Sequence, residues 1–175
     1  MSELEEFRAR KDEFFKTGHE SPIPTEELDV FEGLKYFPEN PALRFEIPLE
    51  GVPPEDFEFE TSTGERKTYK KVGKLKFAVP AGRQEVEGAP AQLTLYQAES
   101  GSYFLPFRDA TSGKETHGAG RYLEVRDKDG KIELDFNFAY NPYCAYNEVY
   151  SCPLPPIENW LKVPIRAGEK KFREE

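Results

Sequence analysis

Residues 43–50 read LRFEIPLE, and in them Leu43, Phe45, Ile47 and Leu49 alternate with Arg44, Glu46, Pro48 and Glu50. A period of two puts one set of side chains on a buried face and the other in water, which predicts a β-strand. The alternation returns through Phe57 and Phe59 in DFEFETS (56–62). Ser62-Thr63-Gly64-Glu65 then supplies turn chemistry, so RKTYKKV (66–72) reads as the hairpin partner. Gly73 interrupts the run before KLKFAV (74–79), which predicts a bulge or tight bend. After a loop from Pro80 to Pro90, four further strands are expected: AQLTLYQAE (91–99), SYFLPFRD (102–109), GRYLEVRD (120–127) and KIELDFNF (131–138). Their connections are Glu99-Ser100-Gly101, the 110–119 loop and Lys128-Asp129-Gly130.

About eight strands with short reversals and no helical period between them predict an antiparallel meander. Closing a meander into an up-and-down barrel removes both of its edges, so the expected fold is mainly β, an antiparallel barrel. A two-sheet sandwich is the alternative. Ahead of it, residues 2–16 predict an amphipathic helix: Ser2 and Glu5 form a capping box, Leu4, Phe7, Phe14 and Phe15 fall near one face, and Gly18 is the stop. In the proline-punctuated connector, Thr25 is placed to cap a short turn over Glu26–Glu32, ended by Gly33. Leu28, Phe31, Leu34, Tyr36 and Phe37 would clip this connector to the core. From Tyr140 onward there is no regular period; this part is expected to wrap across the barrel mouth, with WLKVPIR (160–166) along an edge where Pro164 is tolerable. The chain thus reads as one domain over 1–175, with helix and connector at 1–40, barrel at 41–139 and wrap at 140–175.

Composition narrows the function. A content of 14 Phe and 9 Tyr argues against a disordered chain, and no apolar run approaches the roughly 20 residues of a membrane span. A formal charge of −9 disfavours nucleic acid or an anionic membrane as partner. The basic segment Arg66–Lys76 reads as the wet face of exposed strands. The start MSELEEFRARKDEFF is charged where a leader would be apolar, so a cytoplasmic location is expected. Two cysteines, Cys144 and Cys152, are too few for a disulfide framework or a four-thiolate zinc site, and free thiols are the default in a reducing compartment. No metal or cofactor is expected.

Between Tyr103 and Pro156, polar residues without a solubilising role are interleaved with aromatics and glycines, the usual makings of a shaped polar site. From these comes an expected ligand-binding set of Arg108, Asp109, Glu115, Arg121, Asn137, Asn141 and Tyr143. Small-ligand barrels line their cavities in this way, and arginines in such a pocket suggest an anionic small molecule. An alternative is a hydrolase using Cys144 or the Asp109/Glu115 loop; another is a structural or interaction module with no pocket. Asp109, Glu115 and His117 are metal-donor types within one loop, but their spacing matches no ligand pattern. Ser112, His117 and Asp109 lack the glycine-flanked elbow of a serine nucleophile. Against all of these stands the plainer reading, that Arg108 and Arg121 pair with the loop carboxylates while Asn and Tyr side chains satisfy the backbone of an irregular segment.

Three strings in fixed order, FRDATSGKETHGAGRYL (107–123), LDFNFAYNPYCAYN (134–147) and SCPLPPIENWLKVPIRAGEK (151–170), resemble the signature of the domain of unknown function 1684 family. The resemblance spans about residues 30–170 and implies a family with no established activity. Relatives tend to carry Tyr at the position of His117, which implies that this residue is neither a metal ligand nor a base.

Overall fold

The computed structural model describes residues 1–80 and 89–174. The capping box forms as the sequence requires: Glu5 N donates to Ser2 Oγ at 3.1 Å and Ser2 N to Glu5 Oε2 at 2.9 Å, opening helix α1 over Glu3–Thr17. Leu4 and Phe15 are buried, whereas Phe14 is 40% exposed. Adjacent helical positions lie about 100° apart, so the two rings cannot share a face. Phe15 joins Ile23, Phe31, Leu34 and Tyr146 in a satellite core that clips the connector to the body. The connector's helical turn is a 3-10 segment, Thr25–Val30, with no side-chain cap.

Eight strands follow among the described residues: β1 Arg44–Pro48, β2 Glu50–Glu60, β3 Arg66–Val79, β4 Ala89–Gln97, β5 Tyr103–Phe107, β6 Arg121–Leu123, β7 Arg126–Lys128 and β8 Lys131–Asp135. They do not close into a barrel. They make two antiparallel sheets, β2-β3-β4-β5-β6 and β1-β8-β7. The pair that would close a meander, first strand with last, does form, with Phe45 opposite Leu134 and Ile47 opposite Ile132. The two seams where the cylinder opens are β1/β2 and β6/β7. A single residue, Leu49, separates β1 from β2, and Glu124-Val125 separates β6 from β7. Neither link has turn chemistry to reverse the chain, so LRFEIPLE and GRYLEVRD each bend from one sheet into the other. Meanwhile RKTYKKV and KLKFAV merge into the single strand β3. Its register shifts between Lys71 and Gly73, where a Cβ on Gly73 would lie 2.5 Å from Leu49 Cδ1. The loop expected from Pro80 to Pro90 falls, over 81–88, outside the described residues.

Both sheets face one core. Ile47, Ile132 and Leu134 of the smaller sheet pack with Leu75, Leu93, Leu95, Leu105, Phe107 and Leu123 of the larger. The β7–β8 hairpin turns at Asp129-Gly130 with φ of +55° and +85°, as a two-residue type I′ turn demands. Pro106 in β5 has no N–H to give β4. The carboxamide of Asn159 fills that gap: its Nδ2 donates to Thr94 O at 3.0 Å and Pro106 O at 2.8 Å, and its Oδ1 accepts from Thr94 N at 2.8 Å.

With no barrel mouth to cross, residues 140–170 stitch along the sheets instead. Tyr140 pairs with Tyr122 and Pro153 with Thr61, whereas Trp160 runs parallel to Arg108, just past the end of the internal strand β5 and not along the edge expected for 160–166. Gly168 carries this tail past the end of β8. Its φ is +81°, and a Cβ there would sit 2.7 Å from Ala139 O and 2.8 Å from Phe136 O, both backbone atoms. Gly101 has φ of +95° but open space around it. We expect Gly168→Ala to cost about 3 kcal/mol or more in urea unfolding and Gly101→Ala about 1–2 kcal/mol, since both pay backbone strain and only the first adds overpacking.

Candidate functional site

Of the seven residues expected at a site, five make contacts within the fold and a sixth, Glu115, makes an exposed ion pair. Arg108 stacks on Trp160, with its guanidinium carbon 4.4 Å from the ring centre. Asp109 points inward, accepting from Ile165 N at 2.5 Å and from Thr111 Oγ1 at 2.9 Å. Glu115 points outward to Arg166 Nε at 3.2 Å. Arg121 is fully buried and donates to three tail carbonyls: Ala167 O at 2.5 Å, Ile165 O at 2.9 Å and Glu169 O at 3.2 Å. Burial pulls its pKa below the usual arginine value, and Asp109, 3.6 Å away, opposes that pull. Asn137 lies just past the end of β8, because Asp135 caps a 3-10 turn over Phe136–Phe138 and ends the strand early. Its carboxamide brackets the backbone of Asn40. Asn141 donates from its amide to Glu169 Oε2 and from Nδ2 to Lys170 O.

These contacts do not converge on a reaction centre. Ser112 Oγ accepts from Asp109 N at 3.1 Å within the loop's own turn. The neighbouring Cys152 sulfur, and then burial, push the Cys144 thiol pKa up, opposite to what activates a nucleophile. Among the described residues no three His, Cys, Asp or Glu side chains gather as a metal would need.

The seventh residue, Tyr143, lines an open cleft of about 720 Å³ between α1 and the smaller sheet. Its walls carry Phe7, Phe14 and Phe15 from α1, then Phe138, Tyr140 and Tyr143 from the segment after β8. Four carboxylates, Glu3, Glu124, Glu133 and Asp135, face it, against two cations, Lys11 and Arg126. Lys11 is already committed: its Nζ bonds Glu169 Oε1 at 2.7 Å and lies 4.9 Å from the centre of the Tyr140 ring. Burial, and then Glu124 nearby, raises the Tyr140 phenol well above its ordinary range, so it stays a neutral donor to Glu124 Oε1 at 3.3 Å.

Both walls are fixed by one group. Glu169 is wholly buried and accepts from Lys11 of α1, from the Tyr146 phenol and from Asn141 N. Sequence reasoning passed over Glu169, which sits in the polar string RAGEK without period. It also passed over the cleft wall of α1, although the adjacent pair Phe14-Phe15 carried a signal: one of the two rings must leave the buried face.

A helix docked on two antiparallel sheets with a lateral aromatic cleft is the class of protein that the fold defines. The chain belongs to the family described as protein of unknown function (DUF1684), whose sequence profile matches residues 29–170. It is similar, at 40% identity and a TM-score of 0.72, to an uncharacterised protein of Haloarcula marismortui whose structure was solved in solution by NMR. That match covers 98% of this chain and 94% of the other. A comparison with curated proteins returned no match. The family profile begins beyond α1, so the helical wall of the cleft lies outside it, while the match to the solved structure spans almost all of this chain. No helix among the described residues is long and apolar enough to cross a membrane.

Asp109 and Glu115 look alike in the sequence and differ in the structure. We expect Asp109→Asn to destabilise by about 3–5 kcal/mol, because it strips the charge facing a buried arginine. Glu115→Gln, at an exposed pair, should cost about 0–1 kcal/mol. Denaturant midpoints of the two variants check this.

Proposed function

We propose that this protein binds a small organic cation with an apolar body, held in the cleft between α1 and the smaller sheet. The observation that carries the reading is the cleft's lining, six aromatic rings and an excess of carboxylates over cations. Aromatic faces attract cations through their quadrupole, most strongly where water is partly excluded, and carboxylates at the rim add a matching field. Lys11 supports this from within the chain, since an ammonium already rests against Tyr140. The arginines that pointed to an anion are spent elsewhere, Arg108 on Trp160 and Arg121 on the tail carbonyls. A volume of about 720 Å³ suits a metabolite-sized molecule.

Benzyltrimethylammonium and benzoate are matched probes, one cationic and one anionic on the same ring. At about 100 times its Kd the cation should raise the melting temperature by roughly 5–10 °C, with benzoate giving no shift. In Tyr140→Ala and Glu124→Gln, each compared with its own ligand-free form, the rise should shrink or vanish. Stabilisation by benzoate alone would contradict the cation, and no shift from either probe would contradict the cleft as a site for ligands of this kind.

A further inference from the structure

Cys144 and Cys152 are the two cysteines of the chain, and both are free thiols. They are brought together by separate pieces of structure. Cys152 is clamped to the β2–β3 turn: Ser62 N donates to Cys152 O at 3.0 Å, Cys152 N to Ser62 Oγ at 3.1 Å, and Lys67 Nζ to the neighbouring Ser151 O at 2.7 Å. Cys144 sits in the 3-10 turn Tyr143–Ala145, where Ala145 N bonds Pro142 O and Asn147 N bonds Tyr143 O. The amide nitrogen of Cys144 is 3.4 Å from Cys152 Sγ. One N–Cα bond adds about 1.5 Å, so the Cys144 Cα is within about 5 Å of that sulfur. Cys152 Sγ lies about 3 Å from its own Cα, so the two Cα atoms are at most about 8 Å apart, a bound that contains the roughly 4.4–6.8 Å a disulfide spans.

We propose that Cys144 and Cys152 form a peroxide-responsive dithiol, a site of reversible modification that closes to an intramolecular disulfide. The roles within the pair are unequal. The neighbouring Cys144 thiol, then the Cys144 amide 3.4 Å from Cys152 Sγ and Lys67, draw the Cys152 pKa below the ordinary thiol range against the effect of burial. The thiolate is the nucleophile, and the amide donor on Cys152 Sγ favours it at that sulfur. It attacks one oxygen of the peroxide; the O–O bond breaks, leaving Cys152 sulfenic acid and hydroxide. Hydroxide takes the Cys144 proton to become water. The Cys144 thiolate then attacks the sulfenic sulfur, the S–O bond breaks, and the departing hydroxide is protonated by solvent. Two sulfurs are oxidised, one peroxide is reduced, and two waters leave. The site is independent of the ligand reading of the cleft.

The test is to treat the folded, reduced protein with a small excess of hydrogen peroxide, unfold it in the presence of an alkylating agent and weigh it. The expected product is monomeric, lighter by two hydrogens, refuses alkylation at both cysteines, and regains both thiols with dithiothreitol. The bridge should form at least about tenfold faster in the folded protein than in urea, because the fold, and not chain proximity alone, aligns the sulfurs. Cys144→Ser, still folded by circular dichroism, should trap a sulfenic acid that dimedone labels. Both thiols surviving, oxygen adducts on the wild type, cross-linked dimers, or equal rates folded and unfolded would each overturn the proposal, whether or not the variant folds.

Discussion

A carboxylate removed from water costs several kcal/mol unless donors surround it, and the arrangement of this protein turns on one such group. Glu169 has no exposed surface, and its three donors come from three places: Lys11 on the N-terminal helix, Asn141 just after the last strand, and Tyr146 in the satellite core. To meet it, the tail must pass between the sheets and the helix. The buried guanidinium of Arg121 makes that route favourable by binding the carbonyls of Ile165, Ala167 and Glu169, which an irregular segment would otherwise leave unsatisfied. Asp109 completes the arrangement, facing Arg121 and accepting the amide of Ile165.

The cleft is a consequence of the same contacts. Lys11 fixes α1 at a distance from the smaller sheet, and Asn141 fixes the segment that presents Phe138, Tyr140 and Tyr143. Because β6 and β7 part at Glu124-Val125 instead of continuing round a barrel, the outer face of the smaller sheet is left for the helix to approach. Helix, seam and tail together make a concavity that neither sheet makes alone. Cys144 directly follows Tyr143, so its tie to the β2–β3 turn through Cys152 holds the far end of the same wall.

The local fold was legible where side chains alternate. LRFEIPLE, DFEFETS and KIELDFNF announce their strands because one face of each is buried, and Asp129-Gly130 announces its turn because few other pairs accept positive φ at both positions. Closure was not legible. Whether LRFEIPLE stays in one sheet or turns a corner at Leu49 depends on packing against Gly73, some two dozen residues on, which no local period reveals. For the site, the sequence picked out these residues as unusual and offered two jobs for them, lining a pocket or satisfying backbone. Arg121, Asp109, Asn137 and Asn141 are polar without being solubilising because they satisfy buried backbone, which looks from sequence like a pocket. Tyr143 lines the cleft. Glu169 and Asn159 were missed because a single polar residue in an aperiodic tail carries no signal until its partners, Lys11 and Thr94, are brought to it by tertiary contact.

The central claim is that the C-terminal strap is part of the core, held by buried charge. Native-state hydrogen exchange tests it most directly, at the amides of Asn141, Ile165 and Glu169, which bond Glu169 Oε2, Asp109 Oδ2 and Ala139 O. If the account is right, these three exchange only with global unfolding, in the same slow class as the amide of Leu95 in the centre of the larger sheet. Exchange orders of magnitude faster, through local opening of the tail while Leu95 stays protected, would contradict it.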